Sequence, residues 1–413
     1  MRMNKKIFGW IMYDFANSSF TTIIVTVIFS VYFKNVVVNE GELGTALWGR
    51  SVSISMLMVA LLAPIFGAVA DYSRAKKKFL FYTTYLTIIF TALLYFVKAG
   101  EVQKGMIFFI IANFGYNSAL VFYNALLPEI AQRNDLGKVS GWGWGVGYLG
   151  GLSSLLLVLP LVHNNLIRLT FPAVALFFLI FSLFTFFLLK EIKRTSKRTN
   201  YFRTALNRIK TSGRNIKQFR ELLKFFISYL IYNDGIVIVI SFASIYGATR
   251  FNMNAKQLIT YFIFAQLTSV LGAFVFGYVL DKIGAKKTIS ITLLIWICVI
   301  LGAFFSQTIN QYYLVGILAG IAIGSSQSSS RTMLALLTPD TKMAEFFGFY
   351  SFTGKMASIA GPLIYGEIAR VTGSQKWAII SVLFFFLAGL IILQSVNELK
   401  GKEIALNWKE IPE

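Results

Sequence analysis

Apolar runs of about 20 residues follow one another along almost the whole of this chain, each long enough to cross a bilayer as a helix. Twelve can be read, centred near residues 22, 60, 88, 116, 150, 179, 235, 268, 297, 324, 357 and 386. The chain is 56% apolar, with 40 Phe against one Cys and one His, and its mean hydropathy is +0.66. Several runs contain Ser, Thr, Asn or Gly, which places them inside a bundle rather than singly in lipid. The first, Trp10 to Phe33, is too long for a signal-peptide core and lacks a small-residue cleavage site, so it is read as a retained helix. An all-α integral membrane fold of twelve transmembrane helices is expected.

Two stretches 210 residues apart are nearly the same, and each sits where an apolar run ends. Gly67-Ala68-Val69-Ala70-Asp71-Tyr72-Ser73-Arg74-Ala75-Lys76-Lys77 is echoed by Gly277-Tyr278-Val279-Leu280-Asp281-Lys282-Ile283-Gly284-Ala285-Lys286-Lys287. Ala125-Leu126-Leu127-Pro128-Glu129 is answered, with one residue inserted, by Ala335-Leu336-Leu337-Thr338-Pro339-Asp340. A duplicated membrane half is the simplest explanation, and many secondary transporters are built this way. In each copy the glycine four residues before the aspartate allows a helix end close to its neighbour. The aspartate then caps or pairs beside a basic turn that cannot enter hydrocarbon.

The second copy, G-x-x-x-D-K-x-G-x-K-K, closely resembles the signature between the second and third helices of the major facilitator superfamily. The first copy departs from it at Tyr72 and Arg74. The resemblance implies that Asp71 and Asp281, with Arg74, Lys282 and the acids Glu129 and Asp340, form cytoplasmic latches that hold one access state closed. It also implies that helices 5 and 8, and helices 2 and 11, meet across the two halves.

A net charge of +21 invites a nucleic-acid reading, which its distribution rejects. Alternate loops hold 28 Lys and Arg on the side shared by both termini and 9 on the other, while Arg331 and Lys355 fall inside spans. That asymmetry puts both termini and the middle loop in the cytoplasm. The loop Lys190 to Lys224 holds 12 of the basic residues and separates an N-terminal half, 1–189, from a C-terminal half, 225–413, that ends in a short tail. Within the loop Phe202, Leu206, Ile209, Ile216, Phe219 and Leu223 recur at helical spacing, so it reads either as an amphipathic helix on anionic lipid or as a solvated linker. The lone Cys298 lies in a span and His163 in a short loop, so neither a disulfide framework nor a metal or haem site is expected, and no cofactor.

Helix 5 opens Gly141-Trp142-Gly143-Trp144-Gly145-Val146-Gly147-Tyr148-Leu149-Gly150-Gly151. Without a preceding strand this is no phosphate loop. Gly143, Gly147 and Gly151 at four-residue spacing let membrane helices touch backbone to backbone, as do Gly272 and Gly277 in helix 8 and Gly354 and Gly361 in helix 11. They are read as a sliding seam between the halves in preference to static packing.

Ionisable groups inside spans carry the functional reading. Asp14, Asp234, Arg331 and Lys355 each cost about 2.5–3.5 kcal/mol near a helix centre, so each needs a partner, a wet cavity or a function. Polar neighbours gather around them: Asn17 beside Asp14, Asn233 beside Asp234, and Gln327 in the serine-rich run before Arg331. Either they form interhelical ion pairs, or they line a cavity that binds a charged or zwitterionic solute or a proton. A zwitterion would place its carboxylate on Arg331 or Lys355 and its amine on Asp234, with Tyr116, Tyr123, Trp144, Tyr148 and Tyr350 as walls. Asp234 and Arg331 are expected to line one cavity from opposite halves.

Tyr13-Asp14-Phe15-Ala16-Asn17-Ser18, Tyr123 to Glu129, Tyr232-Asn233-Asp234-Gly235, Ser330-Arg331, Glu345 to Ser351 and Gly361-Pro362 together resemble the vacuole-effluxer branch of the major facilitators. Fungal members of that branch release amino acids from vacuoles. The resemblance implies an amino-acid-like solute, while the internal repeat, the buried charges and the glycine seams are expected of a secondary transporter in which an acid that protonates could couple flux to a proton or cation. Short loops and a 413-residue length look bacterial rather than fungal, so a bacterial inner membrane is expected; a monomer is expected too. The alternatives are a non-transporting sensor or scaffold on the same fold, or a membrane enzyme. No G-x-x-x-x-G-K-[ST] sequence occurs, which argues against direct ATP drive.

Overall fold

The computed structural model describes residues 5–72, 76–130, 136–189, 219–339 and 343–408, without the side chains of 63–72, 128–129, 136–138, 140, 343–345, 348 and 351. The middle-loop reading lies outside the described residues apart from Phe219 to Lys224. So do Arg74 and Asp340, and the side-chain surroundings of Gly67, Asp71 and Glu129.

The chain runs as α1 (Lys5–Val38), α2 (Glu42–Tyr72), α3 (Lys76–Leu93), α4 (Val102–Ile130), α5 (Leu136–His163) and α6 (Thr170–Leu188). It continues as α7 (Arg220–Phe251), α8 (Ala255–Ile283), α9 (Ala285–Phe305), α10 (Ile309–Leu337), α11 (Met343–Thr372), α12 (Gln375–Gln394) and a short α13 (Glu398–Asn407). Among the described residues ten segments are long and apolar enough to cross a membrane. The two long helices left out are α10, diluted by Ser325 to Arg331, and α11, diluted by Lys355 and Glu367. The protein is an integral, multi-pass membrane protein.

Three of the turns between helices show a local cause. Asn254 and Gln257 form a reciprocal capping box at the start of α8, both bonds at 2.9 Å, and Thr308 with Gln311 opens α10 the same way. Gly284, at φ +88°, ends α8 and begins α9 with no linker, a conformation that favours glycine. The first turn of α9 is then capped from outside: Glu398 on α13 accepts from the Ala285 and Lys286 amides at 3.1 and 2.9 Å.

α1 is not a plain α-helix. Its α-helical stretch Lys5–Ser19 gives way to a π-helical stretch, Phe20–Val27, then one α turn and a second π stretch, Phe33–Val38. The helix also starts five residues before the apolar run that announced it, which carries Asp14 deeper than a reading from Trp10 placed it.

In the first six helices α1 packs on α5 and α6, α2 on α4, and α3 on α4 and α6. In the second six α7 packs on α11 and α12, α8 on α10, and α9 on α10 and α12. The two sets meet where α2 lies against α11, α5 against α8, and α1 against α7.

Candidate functional site

Asp14 lies on α1, six residues before the first π stretch. The Tyr123 hydroxyl of α4 donates to its Oδ2 at 2.8 Å, and Asn17 one turn on reaches Oδ1 at 3.5 Å. Tyr123 is fixed in turn: Trp10 stacks on it at 4.4 Å and donates Nε1 to its carbonyl at 3.1 Å, while Tyr13 stacks at 4.8 Å. Such a scaffold of buried aromatic rings leaves the carboxylate little freedom.

Arg331 arrives from α10, in the other set of helices. Its guanidinium lies 4.8 Å over the Trp144 ring of α5. Trp144 follows Gly143, whose α-carbon abuts the Asp14 carboxylate, so a base of one set comes to the same stretch of α5 as an acid of the other. Tyr116 accepts from Thr21 at 2.7 Å. Gln327 sits half-buried one turn before Arg331 on α10.

Asp234 has a different partner from the one expected. It is 3% exposed, and its Oδ1 accepts from the Gly361 amide at 2.8 Å, beside Pro362 inside α11. Asp234 on α7 and Arg331 on α10 both belong to the second six helices, so the expectation that they come from opposite halves is corrected. The acid meets the Gly361 amide because α7 packs on α11. Neighbouring Asn233 reaches the Gly354 carbonyl at 3.4 Å.

Lys355 crosses between the sets, donating to Asn117 Oδ1 on α4 at 3.2 Å. Gln266 on α8 likewise reaches Thr22 on α1 at 3.4 Å.

The seam reading is also corrected. A Cβ added to Gly143 would press on the Asp14 carboxylate, one on Gly147 would sit 3.1 Å from Ser18 Oγ, and both neighbours belong to α1 in the same set. Gly272 abuts the Ile321 backbone of α10, Gly354 the Tyr229 hydroxyl of α7, and Gly361 the Asp234 carboxylate of α7, again within one set. Of the seven glycines read as a seam only Gly151 bears on the other set, through Gln266 at 2.8 Å, while Gly277 meets nothing within 4 Å. The close approach between sets falls instead on Gly49 of α2, against the Pro362 carbonyl, and Gly366 of α11, against Ala46. Four-residue spacing announces a tight helix pair but does not say which helix is the partner.

Contacts that join the sets concentrate at the end of the bundle carrying the turns 39–41, 252–254 and 373–374. Buried Lys34 bonds Glu42 at 3.1 Å and Thr249 of α7 at 2.6 Å. Gln375 of α12 donates to Glu42 and, at 2.7 Å, to Thr45, and it accepts from Tyr365 at 2.7 Å. Arg50 of α2 pairs with Glu367 of α11 at 2.5 Å, Trp48 donates to the Ser241 carbonyl of α7, and Ser53 to the Ile359 carbonyl of α11. Sequence reasoning missed this layer, because charges at the ends of apolar runs are ordinary.

At the opposite end the motif residues behave otherwise. Asp281 is exposed and forms no ion pair among the described residues, Lys282 lies 4.5 Å over Tyr278 of its own helix, and a Cβ on Gly277 would meet nothing within 4 Å. The expected close approach at Gly277 is therefore not made, while Arg74 and Asp340 and the side chains of Asp71 and Glu129, the other expected members of the latch, lie outside the described residues. The end of α8 stands clear of its neighbours, with Phe274 77% and Tyr278 65% exposed.

This arrangement of helices is shared with solved transporters. A nucleoside transporter, NupG, superposes with a TM-score of 0.71 at 15% identity, covering 97% of this chain and 100% of that one. A bacterial homolog of the human lysosomal transporter Spinster, inward-facing and occupied, gives 0.71 at 12% identity over 96% and 97%. The fold is that of the major facilitator transporters. The family model for vacuole effluxers like Atg22 matches residues 46–406, and the chain belongs to that family. Among its relatives, the uncharacterized MFS-type transporter YxiO of Bacillus subtilis is 27% identical over 100% of this chain and 99% of its own length. Autophagy-related protein 22 of Kluyveromyces lactis is 24% identical over 86% and 80%.

Proposed function

We propose that the protein is a secondary transporter that moves a small charged or zwitterionic solute, amino-acid-like, by alternating access of two six-helix halves. The observation that carries the reading is the cross-set site itself, where Arg331 of α10 lies over Trp144 of α5 and the neighbouring Gly143 abuts Asp14 of α1. A static bundle has no use for a desolvated acid and base shared between two bodies, whereas a binding site at their junction is how such transporters sense cargo from both halves. The halves correspond: the pairs α1–α5, α1–α6, α2–α4, α3–α4 and α3–α6 recur six helices later as α7–α11, α7–α12, α8–α10, α9–α10 and α9–α12. On that basis α10 and α11 cross the membrane too, making twelve spans, and residues 190–224 link the halves.

The excess of Lys and Arg on the side of the termini puts that side in the cytoplasm of a bacterial inner membrane. The layer through Glu42, Gln375, Arg50 and Glu367 then closes the outer face, which makes this an inward-open state. Gly67, Asp71, Arg74, Glu129 and Asp340 complete the inner latch when that face closes. Asp14 or Asp234 is the site of the coupling proton.

The test is flux into proteoliposomes of a solute panel (amino acids, dipeptides, sugars, nucleosides and organic anions) with and without a pH gradient. Saturable flux of one solute class, lost in Arg331→Ala, is expected. Tight binding without flux of any member would instead favour a sensor on the same fold.

A further inference from the structure

Lys355 is 9% exposed, in the body of α11 and at the junction with α4. An ammonium only donates, so Asn117 must turn its Oδ1 to Lys355 and its Nδ2 away. The orientation propagates. Asn117 Nδ2 donates to Asn113 Oδ1 at 3.1 Å, Asn113 Nδ2 to Ser55 Oγ at 2.6 Å, and Ser55 Oγ to the Val52 carbonyl at 2.7 Å. Every dipole in this chain points its negative end toward Lys355, which holds a positive charge there. The same polarity means the chain supplies one acceptor and no more, leaving two of the three ammonium protons for something else.

No carboxylate among the described residues provides for them. Asp14 is engaged by Tyr123 and Asn17. Asp234 is turned to the Gly361 amide, six residues further along α11, about 9 Å of helix rise away. A buried cation with one neutral partner is costly, and a static fold would do better with methionine of similar volume.

We propose that Lys355 is the anchor for the carboxylate of the transported solute, held in place by the Asn117–Asn113–Ser55 chain, and that cargo without a carboxylate is rejected. Two oxygens of a carboxylate match the two remaining protons, as a carbonyl or hydroxyl of a neutral solute does not. Because Asn117 belongs to α4 and Lys355 to α11, the anion sits where both halves feel it. The inference rests on the transporter reading above, and deepens it by naming the chemical group selected.

Binding to the detergent-purified protein in sulfate buffer tests it, by thermal unfolding against paired probes. The pairs are L-leucine with L-leucinamide, L-glutamine with its α-amide, and butyrate with butyramide; uridine serves as a solute without carboxyl, and chloride as a simple anion. At least one carboxylate should bind with a Kd about tenfold or more below that of its amide. Lys355→Met should erase that preference without lowering the midpoint of the ligand-free protein, and Lys355→Arg should keep it. Equal binding of acid and amide, protection by uridine or chloride alone, no binding of any carboxylate, or an unchanged preference in Lys355→Met would each overturn the anchor. If Lys355→Met does not fold, the wild-type comparison of acid with amide decides alone. Saturable flux of a solute without carboxyl would sink the anchor and leave the transporter standing, whereas absence of flux for every solute would sink the transporter reading itself.

Discussion

A buried acid is informative in proportion to what has been built around it. Asp14 is held by the Tyr123 hydroxyl, and Tyr123 by Trp10 and Tyr13, so three aromatic side chains serve one carboxylate. Tyr123→Phe keeps the stacking and deletes the bond, and should lower stability by about 1.5–3 kcal/mol, the range for a hydrogen bond to a charged group, as read by thermal unfolding. Reversing the pair, Asp14→Arg with Arg331→Asp, should give a protein that folds and reaches the membrane but moves solute at least about tenfold more slowly. Full flux in the reversed variant would reduce the pair to a structural bridge. Asp14 and Arg331 were legible in the sequence because an ionisable group inside an apolar run stands out against its background. That Arg331 lies over Trp144 while Asp234 turns to the Gly361 amide was not legible, since the choice depends on how α10 and α7 are rotated against their neighbours.

Helices show the same division between pattern and partner. The glycine ladder of α5 announced close packing, yet only the folded chain reveals that Gly150 abuts the Phe15 backbone of α1 while Gly141 and Gly145 meet nothing within 4 Å. Gly150→Ala should therefore overpack α1 against α5 and cost about 1–3 kcal/mol, whereas Gly141→Ala should be neutral or stabilise by up to about 1 kcal/mol through helix propensity. Equal midpoints for the two variants would contradict this placement. The π-helical stretches of α1 had no signal in the sequence at all, because a change from four-residue to five-residue bonding leaves the apolar pattern of Phe20–Val27 intact. Lys34 was hidden for a different reason. It follows the apolar run directly, where a lysine reads as a flanking residue, and only the arrival of Glu42 and Thr249 makes it a buried cross-link.

At the scale of the whole molecule the charge asymmetry predicts that cysteines placed at Ser196 and at Asn164 label from opposite sides of an intact membrane; labelling from one side would overturn the topology. The account's central claim is that the outer layer must open for cargo to pass. Arg50 on α2 and Glu367 on α11 form the one ion pair that, among the described residues, ties the two sets together. The direct measurement replaces both with cysteine in a Cys298→Ala background and joins them with a short, reducible bis-thiol reagent. It then follows flux of the solute found in the proteoliposome panel. Linked protein should lose at least about tenfold in flux and recover it on reduction, while still binding solute from the inner side. Undiminished flux through protein shown to be fully linked would contradict alternating access between these halves.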